Sequence, residues 1–124
     1  IRPAPARGAW VLCDRFVDSS RAYQGGGGGI TDADILALHG FGSNGLLPHR
    51  TFLLTVSRDE AARRLIERGG SDRMGNKPAD YQTRLAARFV EMAKGEPERW
   101  RIVDADAAAT EVTARILAEL AEWL

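Results

Sequence analysis

Thr51-Phe52-Leu53-Leu54-Thr55-Val56-Ser57-Arg58-Asp59-Glu60 runs a strand straight into a helix start. Its first six residues are almost continuously apolar or β-branched, the pattern of a strand buried on both faces. Ser57 with Glu60 three positions later has the form of a capping box, so a helix is expected to about residue 68. Further along, residues 78–94 carry Tyr81, Leu85, Phe89 and Met92 at helical spacing, a buried stripe. Trp100-Arg101-Ile102-Val103-Asp104-Ala105 reads as another strand, and a last helix from about residue 107 is expected to bury Val112, Ile116, Leu120 and Leu124. Toward the N-terminus, Trp10-Val11-Leu12 reads as a short buried strand over residues 10–14. A short helix opens at residues 19–24, and Thr31-Asp32-Ala33-Asp34 caps a helix to about residue 41. Strand and helix alternate three times, which predicts an α/β fold with a parallel sheet flanked by helices. Three strands make a thin sheet, so residues 1–124 read as a single partial domain, with a further piece of sheet expected outside them.

Lys plus Arg and Asp plus Glu are equal at 17 each, so no net field steers the chain toward nucleic acid or a membrane, and neither is expected as a partner. No run is long and apolar enough to span a bilayer, and no signal-peptide pattern opens the chain. The chain begins at Ile1 rather than Met, so an earlier natural start is expected. A single cysteine, Cys13, excludes an intrachain disulfide and a CxxC zinc site; it fits a reducing, cytoplasmic setting. Cys13 itself is expected to be a small buried strand residue. His39 and His49 are too far apart in sequence to suggest a metal pair.

The chemistry concentrates in Cys13-Asp14-Arg15-Phe16-Val17-Asp18-Ser19-Ser20-Arg21-Ala22-Tyr23-Gln24-Gly25. An Asp and an Arg follow the apolar run, at the end of a strand where open α/β sheets place their ligands. A carboxylate there can hold a hydrated Mg²⁺, and a guanidinium can fork onto a phosphate. Alone, such a pair is commonly a local ion pair or a turn. Followed by Ser19 and by Ala22-Tyr23-Gln24-Gly25, it resembles the signature of the thymidylate kinase family. The resemblance implies the C-terminal part of a P-loop nucleoside monophosphate kinase fold, with dTMP and ATP as substrates, Mg²⁺ as cofactor and a homodimeric assembly. It implies that Arg15 contacts the dTMP phosphate and that Asp14 lies near Mg²⁺, through water. Ser19, Tyr23 and Gln24 would line the thymidine pocket.

The resemblance extends over nearly the whole chain from Trp10. Residues 62–73 resemble the family's lid, centred on about 68–77, with Arg64, Arg68 and Arg73 facing the ATP phosphates. Glu60 with Arg64, and Arg63 with Glu67, are also spaced to pair along the helix, and Arg63 is expected to pair with Glu67 rather than face the phosphates. Val103, Asp104 and Ala105 resemble the segment bordering the adenine, although Asp106 could equally be an ordinary helix cap there. The GxxxxGK[ST] phosphate loop does not occur in these residues, and the glycines 25–29 lack its Lys and do not follow a strand. That loop is expected to precede Ile1. Pro48-His49-Arg50-Thr51 stands where the family has Pro-Asp-Leu-Thr, and Thr55 stands where an Asp is common. Two other readings stay open: a kinase for a different nucleoside monophosphate, and a non-catalytic remnant that binds nucleotide or dimerises.

Overall fold

A computed structural model describes residues 1–25, 29–69 and 78–124. They fall into two compact units, Ile1–Leu47 and Pro48–Leu124.

The first unit is built on two helices, α1 (Val17–Gly25) and α2 (Asp32–Ser43). At the start of α2, the Thr31 hydroxyl accepts the Asp34 N–H at 3.1 Å. The Asp34 carboxylate accepts the Thr31 N–H at 3.3 Å, so this capping box is complete. Asn44 ends the helix in the left-handed conformation, and the Arg2 guanidinium donates to the carbonyls of Ser43 and Asn44 at 3.0 and 2.9 Å. These bonds satisfy carbonyls that a helix leaves orphaned at its C-terminus. Val17, Ala22 and Ile35 are buried where the helices meet.

Residues 10–14 do not form the expected strand. Leu12 is 92% exposed, and Cys13 is exposed rather than buried. An apolar run becomes a strand only when a neighbouring strand takes its backbone hydrogen bonds, and no strand of this unit is there to do so among the described residues.

The second unit holds β1 (Thr51–Thr55), α3 (Arg58–Glu67), α4 (Ala79–Gly95), β2 (Trp100–Asp104) and α5 (Ala109–Glu119). β1 and β2 pair in parallel from Thr51↔Trp100 to Thr55↔Asp104. The α/β class and the parallel arrangement follow the sequence reading, with two strands among the described residues where three were expected. Val103, Ala105 and Val112 form the core, and Phe52, Ala107 and Ile116 pack on it. β1 is not buried on both faces, because Leu54 is 50% exposed. A two-stranded sheet leaves each strand an open edge and cannot cover both faces.

On α4, Met92 is buried and Tyr81, Leu85 and Phe89 are half-buried. On α5, Val112 is buried and Ile116 and Leu120 are half-buried. Leu124 is 77% exposed, because regular helix stops at Glu119 and the period that aligned Leu124 with the stripe is lost. Near the chain end Arg50 ties several segments together. It donates to the Glu98 carbonyl at 3.0 Å, pairs with Glu122 at 2.6 Å and lies 4.5 Å over the Trp123 ring. Among the described residues no helix is long and apolar enough to cross a membrane.

Candidate functional site

In the first unit, Arg15 sits just before α1 with φ +63°, a left-handed conformation uncommon outside glycine. The Cys13 thiol donates to its carbonyl at 3.3 Å, bracing this turn. The Arg15 guanidinium lies 5.4 Å from the centroid of the Tyr23 ring. A cation over an aromatic face is attracted to it while its N–H edge stays free for another partner. Ser19 and Tyr23, four apart on α1, lie on one face of the helix. Ser19 and Tyr23 are half-buried; Asp14, Arg15 and Gln24 are exposed. Phe16, next to Arg15, meets the His39 ring edge-on at 5.0 Å. His39 in turn is anchored through Nε2 to the Leu46 carbonyl at 2.5 Å.

The side of α1 that carries Val17 and Ala22 holds charges the sequence reading passed over. Arg21 is buried and donates through Nε and Nη2 to both Asp32 carboxylate oxygens at 2.9 Å; its Nη1 meets Asp18 at 3.1 Å. This fork fixes α1 on the first turn of α2. The Asp18–Arg21 spacing of three residues was visible in the sequence, but nothing local marked either residue as buried.

No group of three or more His, Cys, Asp or Glu side chains that could cage a metal ion occurs among the described residues. The Asp14 carboxylate is exposed and makes no hydrogen bond or ion pair among them. A lone, open carboxylate suits Mg²⁺, which keeps most of its water and takes one or two carboxylates beside substrate phosphate.

In the second unit, an open groove lies at the C-terminal ends of β1 and β2, lined by Arg64, Arg68, Ala105, Ala107 and Ala109 among others. Sequence-expected lid and adenine-side residues therefore share one concavity. Val103 lies beneath it in the core. Asp104 is exposed; its carboxylate accepts the Asp106 N–H at 2.9 Å and its carbonyl accepts from Arg115 at 2.7 Å. Arg68 is exposed, with no side-chain hydrogen bond or ion pair among the described residues. Arg73 and most of the expected lid lie outside the described residues.

The expected capping box at Ser57 is only half made. The Ser57 hydroxyl accepts the Glu60 N–H at 3.3 Å, but the Ser57 N–H goes to both Asp106 carboxylate oxygens at 3.0 and 3.1 Å. Glu60 is engaged elsewhere, by Arg63 and by Arg64, each at 2.6 Å. Hydrogen bonds from Arg63 and then Arg64 hold its carboxyl well below the usual range, at about 2. Arg63 pairs with Glu67, as its helical spacing suggested, and also with Glu60. Asp106 does not cap its own helix, whose N-cap is Ala108 without a side-chain bond.

Residues 1–116 match the family model described as thymidylate kinase. Proteins named thymidylate kinase are similar along the chain. That of Rhizorhabdus wittichii is 46% identical over 126 residues, covering 100% of this chain and 61% of the relative. That of Caulobacter vibrioides is 44% identical over 116 residues, covering 94% and 56%. That of Chromohalobacter salexigens is 41% identical over 126 residues, covering 100% and 59%. The chain belongs to the thymidylate kinase family. It spans about 60% of the length of the curated relatives it matches.

Proposed function

We propose that the protein bearing this chain transfers the γ-phosphoryl group of ATP to dTMP, giving dTDP and ADP. The observation that carries the reading is Arg15 held over the Tyr23 ring beside an open Asp14, with Ser19 on the next turn. Transfer of a phosphoryl group needs alignment and positive charge more than covalent help from the protein. The γ-phosphorus exchanges its bond to the β-bridging oxygen for one to a dTMP phosphate oxygen. Arg15 is a rigid fork for the acceptor phosphate, and it gains strength as charge shifts onto that oxygen. Ser19 and Gln24 supply hydrogen bonds for a pyrimidine edge, and Tyr23 supplies a flat wall. Asp14 would hold Mg²⁺ through water; that ion, when bound, neutralises charge on the phosphates. Arg68 and Arg73 would bring charge to the donor side, where closure of a lid excludes water.

The same reading makes the protein a homodimer and cytoplasmic. Leu38 and Phe41, three apart on α2, are 69% and 92% exposed and offer the contact. Ala22 and Ile35, apolar residues of the same two helices, are buried inside the unit and do not offer a contact.

A coupled assay of ADP release tests the proposal. The family's protein carrying this chain and a phosphate loop should turn over dTMP faster than dCMP or UMP. A preference for another pyrimidine monophosphate would refute it. The 124 residues alone, which contain no GxxxxGK[ST], should give background rates.

A further inference from the structure

Residues 105–109 read Ala-Asp-Ala-Ala-Ala. A backbone bearing mostly methyl groups has few side chains with which to hold itself in place. Its position must come from its neighbours. β1 supplies one hold, since the Thr55 carbonyl accepts the Ala105 N–H at 2.8 Å. The start of α3 supplies a second, from the Ser57 N–H to Asp106. Arg64 supplies the third. Its Nη2 donates to the Ala105 carbonyl at 2.8 Å and reaches the Ala107 carbonyl at 3.4 Å, while its Nε is held by Glu60 at 2.6 Å.

Arg64 is therefore committed on two edges to acceptors of its own chain, and Glu60 neutralises it. Swinging out to a phosphate would leave the Glu60 carboxylate and the Ala105 carbonyl without it. We infer that Arg64 is a positioning residue that sets the alanine segment against which the base of the nucleoside triphosphate packs, and that it does not contact the phosphates. The inference rests on the kinase reading above and departs from the sequence expectation, which placed Arg64 with the phosphate-facing arginines. Small side chains at 105 and 107–109 leave room for a flat heteroaromatic ring, and a shift of their backbone alters that room without touching the phosphates.

The test compares ligands with and without a base. In the kinase, Arg64→Gln should weaken Mg-ATP binding about tenfold, the scale of one charge-assisted hydrogen bond. Binding of inorganic tripolyphosphate, read by competition, should stay within twofold of the unmutated protein. In steady state KM for ATP should rise while kcat and KM for dTMP hold. Arg64→Lys keeps the charge but cannot span Glu60 and Ala105 together, and it should move in the same direction. If Arg64→Gln does not fold, Arg64→Lys decides by the same ratio. Equal weakening of ATP and tripolyphosphate, or a fall in kcat at unchanged KM for ATP, would place Arg64 on the phosphates and overturn the inference. Unchanged ATP affinity would overturn it as well. The binding comparison does not depend on which monophosphate is the acceptor, so failure of the dTMP assay is distinguishable from failure here.

Discussion

Arg15, Ser19 and Tyr23 come from one short stretch of chain, whereas Arg64 and Ala105 meet from 41 residues apart. The two regions also differ in what holds them. In the first unit a buried arginine, Arg21, forks between Asp18 and Asp32, and the helix it fixes also carries Ser19, Tyr23 and Gln24. In the second unit a half-exposed arginine, Arg64, grips a main-chain carbonyl. A local site needs only a helix period and a firm seat for the helix. A site assembled from distant segments needs each backbone tied individually, and it is the more exposed to disturbance of a tie.

The largest effect should come from the local site. In the kinase, Arg15→Ala should lower kcat/KM by about 10²–10³-fold, as for loss of a donor to developing charge. Arg63→Ala should change it only a few-fold, since Arg63 is engaged by Glu60 and Glu67 on the helix surface. Similar small effects at both positions would remove Arg15 from the acceptor site and erase the contrast between the regions.

Next comes the seat of α1. Arg21→Ala removes a buried guanidinium that pairs with both Asp18 and Asp32, and breaking a buried ion pair typically costs about 3–5 kcal/mol. Urea unfolding should show the midpoint fall accordingly, and Arg21→Lys, which cannot fork onto Asp32, should recover only part of it. No loss in Arg21→Ala would mean that the triad does not seat the helix.

The tie in the second unit is smaller and depends on pH. The Glu60 carboxyl is held at about 2, below its ordinary 4.5, so its protonation opposes the folded state. The stability it contributes is complete above pH 4.5 and is lost as pH falls toward 2. Thermal unfolding should therefore separate the unmutated protein from Glu60→Gln at neutral pH, with the two converging toward pH 2. A constant separation over that range would show that the Arg63 and Arg64 pairs do not depend on the carboxylate's charge.

The smallest effect on the sites themselves concerns assembly. Leu38→Asp should shift sedimentation at micromolar concentration from dimer to monomer with little change in helix content, because Leu38 is exposed within its own unit. A monomer before substitution would show that this face is not the contact.

Much of this could be read from residue order, for reasons that are local. Helix starts at Thr31 and Ser57, the parallel strands at 51–55 and 100–104 and the Asp-Arg-aromatic stretch are written in neighbouring residues, where caps, periods and spacing act. The pairing of Arg63 with Glu67 was legible for the same reason, since one helical turn brings them together. Tertiary structure decided the rest. Trp10-Val11-Leu12 carries a strand's composition, yet a strand exists only where another backbone accepts its hydrogen bonds. Glu60 looked like the second half of a capping box; its pairing with Arg64 one helical turn on was legible locally, but that the Ser57 N–H finds Asp106 from beyond β2 instead was not. Arg64 looked like one more lid charge until the fold brought the Ala105 carbonyl within its reach. Sequence by itself states which groups can donate, accept or carry charge; which partner each one takes is settled by distance, and distance between remote segments exists only once the chain has folded.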